Sequence, residues 1–262
     1  MRSLITVCLL LLSAPSIASA QQSSSRRPSL TRVQVKETER RLSQSGYWTG
    51  AVDGLLDPAT QSALIAFQKW EGRPVTGLLT IDELEAIRNS APPKAREPGY
   101  AHVEVDIDRQ VLLIVNNDRG VRVLPISSGS GKGFIDDGQT SVAYTPRGRF
   151  IVYDKVNGWE KGKYRSMYYS NYISGGVAIH GYPSVPIEPA SHGCIRIPIF
   201  AAREVSKSLP LGTIVLVYDK VSFVSAKDWA ANPKLKEAAI LSGAFTYEAE
   251  VNKRKSRQHR GD

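Results

Sequence analysis

The sequence predicts a multidomain α+β protein: a small three-helix domain followed by a mainly β domain of sandwich- or barrel-like form. Three observations predict it. Apolar residues recur at helical spacing, between recognisable caps, from Leu30 to about Ser90. A proline-rich, charged stretch at 91–99 breaks all periodicity. Beyond it come short alternating or apolar runs separated by Gly and Pro turns, with one late helical pattern. The 262 residues suffice for one domain of ordinary size plus a smaller one, and 42% hydrophobic with 23% charged residues excludes wholesale disorder.

The first twenty residues read as an export leader. Arg2 supplies a positive start, Leu4 to Leu12 form an apolar run, and Ala18-Ser19-Ala20 is a small-x-small cleavage signal. The run is short of the roughly 20 apolar residues that a membrane span requires. Cys8 lacks the preceding small residues of a lipid-attachment site. The mature chain is expected to begin near Gln21, outside the cytoplasm and without a membrane span. Removing Arg2 takes the net charge from +9 to +8, a basic balance suited to anionic polymers. Much of it sits in the tail 253–260, which by itself reads as a solvated end. No basic-aromatic strand motif and no finger spacing suggests nucleic-acid binding.

A flexible lead-in, 21–29, precedes the helical region of 30–90. Val33, Val35 and Leu42 mark a first helix that stops at Gly46. Asp57 as N-cap with Pro58 behind it opens a second, whose apolar face carries Ala63, Leu64, Phe67 and Trp70, and Gly72 ends it. Thr80-Ile81-Asp82-Glu83 has the form of a capping box, with Leu84 and Ile87 on the third helix. The linker 91–99 leads to a β-rich region, 100–219. Strands are expected over 102–108, 111–115, 121–126, 150–153, 177–180 and 212–217, and a helix over 198–209. The glycines of 129–133 lack the Lys-Ser/Thr ending of a phosphate loop and read as a turn. The extension 220–262 carries a possible helix over 227–250, broken near Pro233 and Gly243, and the basic tail.

Chemistry concentrates between His180 and Cys194. Loss of Cys8 leaves Cys194 as the single cysteine, so no intramolecular disulfide is possible, and an odd thiol in an exported chain either pairs between molecules or is kept for reaction. A thiolate is the competent nucleophile, and an imidazole can take its proton or hold it as an ion pair. A free thiol titrates near ~8.5, so help is needed at neutral pH. His180, His192 and the start of the helix near Pro198 are the candidate helpers. One Cys and two His also compose a partial zinc set, but the only acid within the segment is Glu188, and a second cysteine is missing. A buried structural cysteine is the third possibility.

Two resemblances sharpen this. Gly46-Tyr47, Asp53-Gly54, Thr60, Ala66-Phe67-Gln68, Gly77 and Thr80 before Leu84 resemble the three-helix peptidoglycan-binding domain, which implies non-covalent binding of wall glycan or peptide. Ser191-His192-Gly193-Cys194-Ile195-Arg196, with His180-Gly181 upstream, resembles the active-site motif of the L,D-transpeptidases, the YkuD-like family, and the likeness runs from about Tyr100 to Val217. Asp106 to Leu112, Ser127-Ser128-Gly129, Thr145 to Phe150 and Gly212-Thr213 extend it. This resemblance implies Cys194 as nucleophile, His180 as general base, the Gly181 carbonyl orienting the imidazole, and His192 with Gly193 shaping the oxyanion site. His192 is the alternative base, on the argument that residues i and i+2 of a strand share a face. Arg196 is implied beside a substrate carboxylate or in loop structure, with Ser191 and Tyr182 on the substrate side. The stretch between Gly181 and Ser191, rich in Pro183, Pro186 and Pro189, is shorter than the family's common form. The implied reaction is acyl transfer from a stem tetrapeptide through a thioester to a neighbouring amine, giving a 3→3 cross-link, or to water. It needs no cofactor and no metal, and carbapenems are implied covalent inhibitors. A catalytically idle wall-binding scaffold and a sortase-like ligase are the competing functions.

Overall fold

The computed structural model describes residues 30–220, apart from 118–119, 137 and 162–165. The leader, the lead-in and the extension beyond Lys220 lie outside the described residues. Three helices come first: α1 (Arg32–Gln44), α2 (Pro58–Trp70) and α3 (Ile81–Asn89). Thr31 and Gln34 close a full capping box at the head of α1. At α2 the Asp57 side chain accepts from the Thr60 N–H at 2.7 Å, with Pro58 in the first turn. At α3 only half of the expected box forms. Thr80 accepts from the Glu83 N–H, while the Glu83 carboxylate turns to Arg73 at 3.1 Å. Of the residues that mark α1, Val33 is exposed, and Val35 and Leu42 are buried.

The residues that carry the helical resemblance hold these helices and loops together. Buried Glu39 accepts from the Gly54 N–H at 2.7 Å and from the Thr60 hydroxyl at 3.0 Å. Gln68 accepts from the Thr76 and Gly77 N–H groups and donates to the Thr76 hydroxyl.

The β region consists of β1 (His102–Asp106), β2 (Val111–Asn116), β3 (Gly120–Pro125), β4 (Gly133–Asp136), β5 (Gln139–Val142), β6 (Gly148–Ile151), β7 (Asp154–Lys161), β8 (Ser166–Ser174), β9 (Val177–Tyr182), β10 (Ile195–Pro198), α4 (Ile199–Ser208) and β11 (Ile214–Tyr218). One sheet has the order β3-β2-β1-β11-β6, a second β10-β9-β8-β7, and β4-β5 form a separate hairpin. Two pairs are parallel, β1 with β11 and β9 with β10. The main core brings together Val103, Leu112, Ile114, Leu124, Ile179, Ile195, Ile197 and Val215 from both sheets with Ala201, Ala202 and Val205 of α4.

Strand alternation divides β2 between two cores. Leu112 and Ile114 enter the inter-sheet core, whereas Val111, Leu113 and Val115, with Val123 of β3, join Leu42, Tyr47, Ala63, Leu64, Phe67 and Ile87 of the helical region. The helices therefore share an apolar core with the back of the five-stranded sheet. Gly46 lies at the seam: its φ is +96°, its carbonyl accepts from the Val123 N–H at 2.9 Å, and a Cβ there would stand 2.2 Å from the Val121 oxygen. Only glycine permits that approach.

The 91–99 stretch is also bound down. The Arg96 and Glu97 N–H groups donate to the fully buried Glu104 carboxylate, which also meets His102 and the Tyr218 hydroxyl. Glu97 pairs with Arg149 at 2.6 Å, and Arg96 lies over the Tyr218 ring. Buried acid groups persist only with such complete pairing.

Candidate active site

The parallel β9–β10 pair places the chemistry. Its register sets Ile195 against Ile179, Arg196 against His180 and Pro198 against Tyr182. Ile179, Ile195 and Ile197 point into the inter-sheet core, so Ala178, His180, Tyr182, Cys194 and Arg196 occupy the opposite face. Cys194 adjoins Ala178 and is the diagonal neighbour of His180. Strand spacing and rise put their Cα atoms roughly 8 Å apart.

His180 is 3% exposed, and its Nδ1 lies 3.0 Å from the Gly181 carbonyl oxygen. That contact makes Nδ1 the protonated nitrogen and leaves the lone pair on Nε2. Burial pushes the imidazole pKa down to about 4, against a smaller upward pull from the Gly181 carbonyl. Near neutral pH the ring is uncharged.

Cys194 is a free, half-buried thiol packed against Tyr153, Tyr172 and Ala178. Burial raises its pKa, opposed by a hydrogen bond from the Ala178 backbone and by the charge of Arg196. The resting pair is thus thiol and neutral imidazole, not an ion pair. The thiol donates to the Gly176 carbonyl at 3.6 Å, and no Cys194–His180 hydrogen bond is made in this resting geometry. The start of α4 supplies little help. The whole of β10 lies between Cys194 and that helix, ~13 Å of extended chain, and a helix end acts over about one turn.

The cysteine loop is held from below. Ser127 exchanges backbone bonds with Arg196, its hydroxyl donates to the Glu188 carbonyl and accepts from the Ala190 N–H, and the Ser128 carbonyl accepts from the Ala190 and Ser191 N–H groups. Thr145 Oγ1 accepts from the Gly129 N–H at 2.8 Å and donates to the Gly193 carbonyl at 2.7 Å. Gly193 has φ +145°, and a Cβ there would lie 2.9 Å from the Tyr144 oxygen. Thr145→Val keeps the shape and orphans two backbone groups; it is expected to cost about 2 kcal/mol. Thermal melting should show a drop of roughly 4–8 °C.

Three of the expected site residues make contacts that the sequence did not indicate. Ser191 is 2% exposed, its hydroxyl donating to the Cys194 carbonyl at 2.6 Å and accepting from the Gly193 N–H at 3.0 Å, so it braces the turn. The same bond engages the Gly193 N–H. The shared-face argument for His192 fails because 191–194 is a turn, not a strand; the exposed His192 ring packs edge-on to Phe134 of β4 at 4.7 Å. Arg196 and Tyr182 remain together on the face of His180, the guanidinium 4.5 Å from the ring centroid. Among the described residues no three His, Cys, Asp or Glu side chains gather in a metal-binding cluster. Residues that sequence reasoning left as turn elements, Ser127, Ser128 and Thr145, are the supports of the loop. Their signal was their place in short polar segments that run into a glycine, Gly129 or Gly148.

A two-sheet domain with Cys and His on one face of a parallel strand pair, joined to a three-helix unit, has known relatives. Residues 100–217 match the L,D-transpeptidase catalytic domain family (YkuD), and residues 31–87 match the peptidoglycan binding domain family PG_binding_1. The solved L,D-transpeptidase of Xylanimonas cellulosilytica (residues 123–326) is 35% identical over 71% of this chain and 93% of its own, with a TM-score of 0.65. The L,D-transpeptidase of Stackebrandtia nassauensis is 20% identical, covering 72% of this chain and 92% of its own, with a TM-score of 0.43. No curated protein matches. The chain belongs to the L,D-transpeptidase family and carries an N-terminal peptidoglycan-binding domain.

Proposed function

We propose that this enzyme, exported and acting on the cell wall, forms 3→3 cross-links between peptidoglycan stem peptides through a thioester on Cys194. The observation that carries the reading is the shared face of β9 and β10. The only thiol among the described residues stands beside an imidazole whose Nδ1 is fixed on the Gly181 carbonyl and whose Nε2 is an available base at neutral pH. As the thiol swings to His180, Nε2 takes its proton and the sulfur attacks the carbonyl of the third stem residue. The Cys194 N–H stabilises the oxyanion, since that of Gly193 is committed to Ser191. Protonated His180 returns the proton to the departing D-alanine amine. Arg196, braced on Tyr182, binds a donor carboxylate. An amine of a second stem then resolves the thioester, and carbapenems acylate the same sulfur.

Mass spectrometry of the enzyme mixed with a defined tetrapeptide tests this. The expected result is a covalent tripeptidyl adduct with release of D-alanine, followed by a cross-linked dimer. Tripeptide without dimer would make the enzyme an L,D-carboxypeptidase. No adduct with either the tetrapeptide or a carbapenem would leave a wall-binding scaffold.

A further inference from the structure

One carboxylate beside the cysteine has no part in the steps above. Glu160 lies near the end of β7, opposite Met167 of β8, and its Oε2 accepts from the Tyr172 hydroxyl at 2.9 Å. Tyr172 is buried and stands across from Ala178 of β9. Together with Tyr153 these two form the cluster on which both Met167 and Cys194 pack. The Glu160 carboxylate is thus bound to a member of the cluster on which the sulfur packs, and β7 and β10, which carry Glu160 and Arg196, are opposite edges of the sheet. Its charge reaches the thiol, raising its pKa where Arg196 lowers it. Glu160 itself is half-buried, and among the described residues no Lys, Arg or His pairs with it.

For the first half-reaction this placement is adverse, because a nearby anion disfavours the thiolate. For the second it is apt, because the incoming nucleophile arrives as a cation. Oriented charges of opposite sign on either side of a reaction centre sort two charged partners to their proper places.

We propose that Glu160, held by Tyr172, is the acceptor site: it binds the ammonium group of a primary amine, carried on the side chain of a second stem peptide, beside the Cys194 thioester. The assignment rests on the reading of Cys194 as nucleophile and adds the residue that receives the second substrate. Of the three protons on the ammonium nitrogen, one passes to the Glu160 carboxylate and on to water, freeing the lone pair. The nitrogen attacks the thioester carbon, the C–N bond forms and the C–S bond breaks. A second proton passes through His180 to the leaving sulfur, and the third remains on the amide.

The test is the ratio of amine transfer to hydrolysis from the acyl-enzyme, which does not depend on the acylation rate. Native protein is loaded with tetrapeptide donor and offered a diamino-acid tripeptide, or the same tripeptide with a hydroxyl in place of the side-chain amine. Native enzyme should transfer to the amine and not to the hydroxyl analogue. Glu160→Gln should lower the ratio by at least roughly tenfold, the usual worth of a charge-assisted hydrogen bond, with a higher half-saturating acceptor concentration. Tyr172→Phe should lower it less, and Glu160→Asp should restore part of it. Iodoacetamide should also label Cys194 faster in Glu160→Gln, a direct readout of the lost charge that misfolding would not mimic. A ratio within about twofold of native in Glu160→Gln overturns the acceptor site, as does a native enzyme that acylates yet only hydrolyses. Failure of the native enzyme to release D-alanine overturns the nucleophile assignment and this one with it.

Discussion

Cys194→Ala is expected to abolish donor acylation, release of D-alanine and dimer formation, while retention on isolated sacculi stays at the native level. The loss should be complete because no other described cysteine can replace the sulfur. Binding should survive because the helices lie on the far side of the five-stranded sheet from the β9–β10 face, packed on Val111, Leu113, Val115 and Val123. The substitution also trades a half-buried thiol for a methyl group, which costs little in packing. Muropeptide analysis by chromatography and a pelleting assay with sacculi read the two properties separately. Turnover in the alanine variant would remove Cys194 from the chemistry.

His180→Gln is expected to lower acylation by about 10²- to 10⁴-fold, the usual contribution of a positioned general base. The amide can still donate to the Gly181 carbonyl, so the loss reports proton transfer. Two pH signatures accompany it. In the native enzyme the base is consumed only as pH falls toward about 4, so kcat/KM should hold from neutrality down toward that value. Stability should move sooner. Above the unfolded pKa near 6.5 the ring is neutral in both states. Between there and about 4 the unfolded chain binds a proton that the buried ring refuses, so folding free energy declines with falling pH, by on the order of 3 kcal/mol in all. The glutamine variant should lack this part of the acid sensitivity in melts at pH 7, 5 and 4. Equal slopes in both proteins would show that His180 is not the buried neutral base.

The division into helices and then strands was legible because caps and apolar spacing are local. Asp57-Pro58, Thr80 and the alternation of 102–106 announce themselves within a few residues. Strands β4, β5, β7, β8 and the short β10 were not expected, and for the longer ones the reason is physical. Asp154–Lys161 interleaves charged residues with Asn157 and Gly158, and is half-exposed; only pairing with β8 makes it a strand. The hairpin strands bury nearly nothing, so they lack an apolar stripe to read. Within the site, Cys194 and the two histidines near it stood out by residue type, while the choice of His180 and the part of Arg196 came from the family resemblance. What escaped was the turn geometry that sets His192 aside and turns Ser191 inward, and the partnership of Glu160 with Tyr172 across two strands. Those depend on register and on a positive φ at Gly193, which no spacing rule contains. The helical motif residues misdirect in another way: Thr60, Gln68 and Gly77 mark the unit because they brace it, so they say nothing of which atoms touch a ligand.

The apolar seam between helices and sheet makes the module behave as a caliper and not as a lure on a string. The helical unit and the sulfur-bearing face are thereby held at one bearing and one reach. Severing the two parts would bare a stripe of valine and leucine on the back of the sheet, and the liberated catalytic half should clump with its own kind.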